Sequence, residues 1–306
     1  MKKTKRRLDF FLVGTWLASA VTVILLVWIL GSIVVPAIPA IQKTGFTFFT
    51  SAIWDVNRDR YGALPFLVGT AMSSLIALIT ALPLGVFIAL FLSENFLPVS
   101  VRQVIRFVVE LLAAIPSVVY GLWGIAVVIP IVQQFGGVLA QTLGFIPLFK
   151  GPAFGNSTLT ASLVLALMVL PTITAIARTT LVSLPKTLRE GSYAIGATRW
   201  ETIFKVLLPS AAPGIVAGTI LGFGRAMGET MAVAMLIGNS PRLNFSLLSP
   251  GGTLAGLLAN QFAEAKGLQI SALMYAALAL VLLTLVVNII GEVVLRRVQY
   301  STAGLR

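Results

Sequence analysis

An arginine and a glutamate four residues apart lie inside an apolar run of the sequence, where charge is costly. The run covers residues 210–238 and contains Arg225 and Glu229. A charge near the middle of a bilayer costs about 2.5–3.5 kcal/mol on insertion scales, so such residues face a bundle interior or a wet cavity. Arg225 offers a planar fork of donors that matches the oxygens of a tetrahedral oxyanion. These residue types indicate anion binding.

The same run carries a row of glycines that predicts how its helix packs. Gly214, Gly218 and Gly222 are four residues apart, and small residues at this spacing let helices approach closely. At 100° per residue they share about 80° of arc with Arg225 and Glu229. We predict that Glu229 holds Arg225 between substrates and that an anion competes for it. A structural ion pair that locks the helix is the alternative.

Other polar residues in apolar segments are weaker candidates for anion contact. Glu110 follows Arg106 by one helical turn, so a structural pair explains it as well as a role in translocation. Ser117, Tyr120 and Thr230 carry hydroxyls that can donate to an anion. Hydroxyls in membrane helices also bond to neighbouring helices, and that alternative stays open for all three.

The polar stretch 183–215 is patterned more regularly than a slack linker. Its apolar residues fit short amphipathic helices, with Gly196 as the break between them. The apolar positions are Leu188, Tyr193, Ile195, Ile203, Val206 and Leu207. A helix–glycine–helix on a membrane surface forms a compact knob that can enter a partner's groove.

The sequence lacks the residues that several kinds of chemistry need. It contains no Cys and no His, which excludes thiolate or imidazole metal sites, disulfides and His general bases. It has no G-x-x-x-x-G-K-[ST] phosphate loop, so any ATP hydrolysis must come from another chain. The formal charge of +12 does not indicate nucleic acid, because the basic residues lie between apolar runs. We expect no metal and no cofactor on this chain.

Membrane-spanning helices are the elements that must position these residues. Of the 306 residues, 58% are hydrophobic and 10% are charged, against about 25% charged in soluble domains. Backbone groups in lipid must be paired internally, so apolar segments of about 20 residues predict helices. Six such segments are present: 11–35, 63–93, 104–132, 158–182, 210–238 and 270–295. The first is longer than the apolar part of a signal peptide and is predicted to be retained.

The distribution of Lys and Arg predicts the orientation. With the N terminus inside, the inner segments carry fifteen of these residues and the outer segments carry six. The positive-inside rule therefore places both termini in the cytoplasm. The predicted divisions are 1–60 (N terminus, first helix and outside loop), a core at 61–296 with the loop at 183–209, and a tail at 297–306.

The first outside loop carries a set of aromatic residues with two possible roles. The set is Phe46, Phe48, Phe49, Trp54 and Tyr61. Aromatic residues of this kind either anchor a protein at the membrane interface or form a docking surface for an external partner. Both alternatives stay open from the sequence.

The loop at 183–209 resembles the cytoplasmic loop of ABC importer permeases. That family has Glu-Ala-Ala, three residues, Gly, nine residues and Ile-x-Leu-Pro. Here Glu190-Gly191-Ser192, Gly196 and Val206-Leu207-Leu208-Pro209 stand at the same spacing. The departures, at Ala-Ala and at Ile, keep small and apolar character. In the family this loop is the coupling helix that enters the ATPase subunit, so the resemblance implies ATPase coupling through Glu190, Gly196, Leu208 and Pro209.

Two further stretches resemble the phosphate permeases of this family. Arg225-Ala-Met-Gly-Glu-Thr looks like their Arg-Ala-x-Gly-Glu-Thr signature. Glu110-Leu-Leu-Ala-Ala-Ile-Pro-Ser-Val-Val-Tyr-Gly looks like their Glu-Leu-Leu-Ala-x-Ile-Pro-Ser-Val-x-Tyr-Gly stretch. Residues 64–70 and 230–233 favour the PstC type over its sister, PstA. The resemblance covers roughly residues 60–295 and implies that Arg225 and Glu229 take part in phosphate translocation.

The resemblance also implies a fold, partners and a location. The fold is an all-α integral membrane protein with six transmembrane helices and a cytoplasmic coupling-helix loop, the type I importer permease fold, in the bacterial inner membrane. The implied partners are a PstA-like second permease, a PstB-like ATPase dimer that binds ATP and Mg²⁺, a PstS-like external phosphate-binding protein, and membrane lipid. A PstA-like subunit and a molybdate or sulfate permease remain alternatives. The loop argues against the other class, a passive anion channel or a scaffold.

Overall fold

The computed structural model describes the backbone of residues 2–94 and 96–303 and the side chains of residues 11–94 and 96–300. The N-terminal basic residues at positions 2–7 and Arg306, which enter the predicted orientation, lie outside the described side chains. Within the described range, six helices are long and apolar enough to cross a membrane, which confirms the predicted number of spans. Spans 1 to 6 are Phe11–Thr44, Leu64–Ser93, Ser117–Leu143, Thr158–Ser183, Arg199–Gly228 and Leu268–Tyr300.

Short elements connect the spans. Span 1 is part of helix Lys2–Thr44, and span 6 is part of helix Leu268–Ala303. After span 1 come a helical turn, Thr47–Thr50, and a two-stranded antiparallel sheet, Trp54–Asp55 and Arg60–Tyr61. The other helices are an amphipathic helix (Val99–Ala114), a loop helix (Lys186–Ala194), Met231–Leu236 and Leu254–Gln261, with 3-10 turns at Pro147–Phe149 and Phe262–Glu264.

Span 3 lies further along the chain than the predicted segment, 104–132. The amphipathic helix ends at Ala114, and Ile115 has an extended backbone with φ −68° and ψ 128°. The following Pro116 accounts for this, because a residue before proline is pushed out of the α region. Span 3 then begins at Ser117. The apolar run therefore contains parts of two helices, and the prediction of a single span there is wrong.

Span 5 also differs from its prediction, 210–238, at both ends. It begins at Arg199 and ends at Gly228. A π-helical turn, Thr202–Leu207, lies just before Pro209. This wider turn suits a proline, which has no N–H to donate to the preceding turn. The second half of the predicted segment forms the separate helix Met231–Leu236.

Span 4 lies at the centre of the bundle. In span 4, 67% of the most apolar 18-residue stretch is buried, whereas the value is 6% in spans 1 and 6. Spans 1 and 6 therefore leave most of their surface for lipid or other subunits. Span 4 packs chiefly against spans 2 and 5. Its N terminus is capped by Ser157, whose side chain accepts a hydrogen bond from the Thr160 N–H.

The predicted glycine row is confirmed as the packing surface between spans 5 and 4. A methyl group added at Gly222 would approach Val169 to 2.7 Å, and one at Gly218 would approach Ile176 to 3.0 Å. One added at Gly214 would overlap another side chain of span 4. Close backbone approach therefore fixes the rotation of span 5, and with it the direction of the residues that follow Gly222.

Two of the aromatic residues after span 1, Phe48 and Tyr61, pack inside the protein, so the five do not form one exposed set. Phe48 is fully buried and stacks on Tyr275 of span 6, with ring centroids 4.2 Å apart. Tyr61 is buried and packs against Trp54, with ring centroids 5.0 Å apart. Phe46 is 78% exposed. For Phe48 and Tyr61 the predicted role as an interfacial belt or docking surface is wrong, because both side chains attach this segment to the bundle.

Candidate anion site and coupling loop

Arg225 lies in the last turn of span 5, at the end of the glycine row. Gly222 comes three residues earlier on the same face and contacts span 4, so Arg225 also points towards span 4. Its Nη1 lies 3.5 Å from Thr172 Oγ1, which is longer than an ordinary N–H···O hydrogen bond. Arg225 is exposed in the single chain. Most of its donors are therefore available to a ligand.

Glu229 does not continue the helical face of Arg225, contrary to the prediction. The helix ends at Gly228, and Glu229 follows with an extended backbone, φ −67° and ψ 126°. Among residues 11–94 and 96–300, no ion pair includes Arg225 or Glu229. A spacing of four pairs charges only where the helix continues, and glycine favours helix termination. The predicted Arg225–Glu229 pair is wrong, and the hydrogen-bond acceptor beside Arg225 is a neutral hydroxyl.

The predicted hydroxyl ligands are used mainly in local contacts. The Tyr120 hydroxyl donates to the Leu112 carbonyl at 2.8 Å and bridges the break between the amphipathic helix and span 3. The Thr230 hydroxyl donates to the Gly228 carbonyl at 3.1 Å. Ser117 lies partly buried at the start of span 3. A role for these three residues in anion binding stays a prediction.

Glu110 forms the predicted pair with Arg106 on the amphipathic helix. Arg106 Nε lies 2.7 Å from Glu110 Oε1, and both side chains are more than half exposed. An exposed pair one turn apart contributes about 0.3–0.5 kcal/mol to helix stability. A further role for Glu110 in translocation stays a prediction.

The loop has the predicted helix–glycine–helix form. Gly196 follows the loop helix with φ +85°, a conformation that glycine adopts readily. Thr198 then caps the next helix in a capping box: its Oγ1 accepts the Glu201 N–H at 3.3 Å, and the Glu201 carboxylate accepts the Thr198 N–H at 2.9 Å. The prediction that the second helix is also a short separate element is wrong, because this helix is the beginning of span 5.

Span 5 therefore joins the loop directly to Arg225. The 30 residues Arg199–Gly228 extend for about 45 Å at 1.5 Å per residue. Leu208 and Pro209 lie within this helix, partly buried. A tilt imposed at the loop end changes the position of Arg225 at the other end.

The tip of the loop presents apolar surface. Ile195 is 86% exposed and Tyr193 is 46% exposed, whereas Ile203 and Leu207 are buried against the spans. Glu190 is exposed on the loop helix. Large exposed apolar side chains next to a charged residue are typical of a protein–protein contact surface. The assignment of Glu190, Gly196, Leu208 and Pro209 to ATPase coupling stays a prediction.

Sequence reasoning missed the residues that hold the loop helix. Arg189 donates to Glu94 Oε1 from Nη2 at 2.8 Å and from Nε at 3.1 Å, and to the Leu181 carbonyl at 3.0 Å. Arg199 lies over the ring of Phe96, with Cζ 3.7 Å from the centroid. The only sequence signal for the first contact was Glu94, an acidic residue directly after span 2. Its partner, Arg189, lies 95 positions further along the chain.

The chain belongs to the family of binding-protein-dependent transport system inner membrane components, whose family model matches residues 81–300. It is thus the permease component of an ABC transporter, a multi-pass membrane protein that is not itself catalytic and functions with other transporter subunits.

The curated relatives include proteins named "Phosphate transport system permease protein PstC". The chain is 42% identical to that of Xylella fastidiosa (strain Temecula1) over 265 residues, covering 85% of this chain and 82% of the relative. It is 40% identical to that of Haemophilus influenzae over 292 residues, covering 94% and 92%. A relative named "Probable phosphate transport system permease protein PstC", from Methanocaldococcus jannaschii, is 37% identical over 305 residues, covering 97% and 96%. The resemblance to PstC-type permeases is confirmed.

Solved structures support the fold. Two inward-facing structures of the MetNI methionine ABC transporter match with TM-scores of 0.52 and 0.53 at 21% and 20% identity, covering 78% of this chain and 94% of theirs. The predicted type I importer permease fold is confirmed.

Proposed function

We propose that this chain is the phosphate-translocating permease subunit of an ATP-driven importer and that Arg225 binds the anion in transit. The observation that supports this most is that Arg225 lies in a membrane span beside a neutral hydroxyl at 3.5 Å. A guanidinium that is not neutralised by a carboxylate attracts an oxyanion strongly in a low-dielectric environment. The relatives named as phosphate permeases support phosphate as that anion.

The importer contains further subunits. A PstA-like permease completes the pathway, a PstS-like protein delivers phosphate from outside, and a PstB-like ATPase dimer binds ATP and Mg²⁺. The protein lies in the bacterial inner membrane, and the loop and both termini are on its cytoplasmic side. The ATPase contacts the exposed loop tip around Ile195, and its closure tilts span 5 and changes access to Arg225.

The primary test is Arg225→Gln in the assembled transporter in proteoliposomes. Uptake of ³²P-phosphate should fall to background while the complex still copurifies, because glutamine keeps hydrogen-bonding groups but removes the charge. Arg296→Gln is the matched control: Arg296 is exposed and pairs with Glu292, so uptake should persist. Labelled sulfate and labelled molybdate are tested in the same assay as alternatives to phosphate. Preferential uptake of either would reject phosphate as the substrate.

Substitution of Glu229 tests whether its carboxylate competes with the anion for Arg225. If Glu229 neutralised Arg225, Glu229→Gln would increase phosphate affinity, because the competing carboxylate is removed. The extended backbone at Glu229 and the absence of an Arg225–Glu229 pair among the described residues predict no such increase. A higher affinity in Glu229→Gln would restore the competition mechanism.

A further inference from the structure

A second basic site lies away from Arg225, between span 2, the amphipathic helix and span 4. It is a pocket of about 160 Å³, and the lining residues that the structure describes include three arginines. The lining residues are Leu92, Val99, Arg102, Gln103, Arg106 and Arg178. The translocation role proposed for Arg225 does not involve them.

The pocket lies at the ends of the spans on the loop-helix side. Leu92 is in the last turn of span 2, Val99 begins the amphipathic helix, and Arg178 lies five residues before the end of span 4 at Ser183. Glu94, two residues after Leu92, contacts the loop helix. Where spans 2 and 4 both end, the chain leaves the hydrocarbon core and enters the region of the lipid headgroups. The pocket therefore opens where phosphate groups of lipids are concentrated.

Among the described residues, two of the lining arginines, Arg178 and Arg106, keep donors without a partner. Arg178 Nε is buried and has no hydrogen-bond partner among the described residues. Arg106 is bonded through its Nε to Glu110, which leaves its two terminal nitrogens for another acceptor. A buried donor without a partner is unfavourable, and several guanidinium groups around one cavity repel one another. An anion with several oxygens relieves both effects.

The size and walls of the pocket favour a phosphate group attached to lipid. One ordered water needs only about 10–15 Å³, so this cavity has room for a larger ligand. Guanidinium forks match phosphate oxygens in a bidentate manner, and basic pockets between spans on the cytoplasmic side bind phospholipid headgroups. The side chains of Leu92 and Val99 add an apolar wall suited to the adjoining part of a lipid.

We propose that this arginine-lined pocket binds a phosphate group, supplied by the headgroup of an anionic membrane lipid. The bound lipid attaches the amphipathic helix to spans 2 and 4 at the membrane surface. This site is independent of transport through Arg225.

The test uses the assembled transporter in phosphatidylcholine–detergent micelles with two probes, ³²P-labelled phosphatidylglycerol and ³²P-labelled inorganic phosphate. Binding is measured for wild type and for two pocket variants, Arg178→Gln, which removes a guanidinium, and Gln103→Glu, which adds an acid without removing an arginine. Arg242→Gln is the control, because Arg242 is exposed in the loop after span 5, at the opposite ends of the spans. Each measurement is repeated with Arg225→Gln, so that phosphate bound at Arg225 is not counted.

Both pocket variants should weaken phosphatidylglycerol binding at least about tenfold, a loss of ~1.4 kcal/mol, whereas Arg242→Gln should not. Added salt should weaken the wild-type binding. If the pocket variants lose inorganic phosphate but not phosphatidylglycerol, the phosphate-group site stands and free phosphate is its source. Unchanged binding of both probes in Gln103→Glu and in any assembled Arg178→Gln complex overturns the proposal. Phosphatidylglycerol binding does not depend on Arg225, so failure here and failure of the transport role are distinguishable.

Discussion

Replacing Arg189 by glutamine tests whether one side chain holds the loop helix on the spans. Arg189 bonds Glu94 at 2.8 and 3.1 Å and the Leu181 carbonyl at 3.0 Å. The Glu94 and Arg189 side chains are only 9% and 20% exposed. Removing one partner of a buried pair costs about 3–5 kcal/mol, because the other charge remains buried. Since Glu94 and Leu181 belong to the ends of spans 2 and 4, this cost falls on the attachment of the loop helix.

The size of this cost predicts a functional effect. At 1.4 kcal/mol per factor of ten, attachment of the loop helix weakens roughly 10²- to 4 × 10³-fold. A loosely attached loop helix transmits movement of the ATPase poorly, so Arg189→Gln should use more ATP for each phosphate imported. The assay is ATP hydrolysis and ³²P-phosphate uptake measured in the same proteoliposomes.

Two further variants make the test specific. Lys186→Gln removes a charge from the exposed side of the same helix and should leave the ATP-to-phosphate ratio unchanged. In the double variant Glu94→Gln/Arg189→Gln both buried charges are gone, so its ratio should lie closer to wild type than that of Arg189→Gln. The reasoning is refuted if Arg189→Gln behaves like Lys186→Gln.

Three other predictions follow from local geometry. Gly196→Val should uncouple phosphate-dependent ATPase activity from uptake, because φ +85° costs an L-residue about 1–2 kcal/mol; Gly191→Ala, with open space around it, should not. Gly222→Ala should lower the melting temperature of the complex, since the new methyl would lie 2.7 Å from a span 4 side chain and overpacking costs about 1–3 kcal/mol. Gly224→Ala, whose nearest neighbour is 3.9 Å away, should be nearly neutral. Burial, followed by a hydrogen bond to an aspartate, raises the pKa of Tyr61 from 10.0 to about 12. Because the folded state holds this proton more tightly than the unfolded state, the Tyr61 hydroxyl contributes to stability. This contribution is fully present below pH 10 and is lost as the pH rises towards 12. Tyr61→Phe should lose less stability over that range in a thermal unfolding series, and an identical pH profile would contradict the assignment.

Some site features could be predicted because they depend on neighbours in the sequence. The glycine spacing in span 5 predicted a close-packed face, and Gly214, Gly218 and Gly222 do pack on span 4. The pattern around Gly196 predicted a break between two helices, and its φ of +85° confirms it. Both depend on local backbone preferences and helical periodicity.

Other features could not be predicted, because the apolar composition hides where a helix stops. Residues 104–132 and 210–238 look like continuous spans, yet the helix breaks at Ile115 in one and ends at Gly228 in the other. The second break separates Glu229 from the face of Arg225 and removes the predicted pair. Hydropathy measures the affinity of a segment for lipid and does not report the conformation of single residues such as these.

The sequence by itself determined that the chain crosses the membrane about six times, that a charged residue lies within span 5, and that a glycine-broken loop precedes that span. Each follows from composition or from spacings of a few residues, which act through solvation and local backbone geometry. Only the tertiary structure decided that Arg189 reaches Glu94, that Arg178 lines a basic pocket, and that Arg225 faces a hydroxyl instead of Glu229. These contacts join residues far apart in the chain, and which residues meet depends on how the helices pack together.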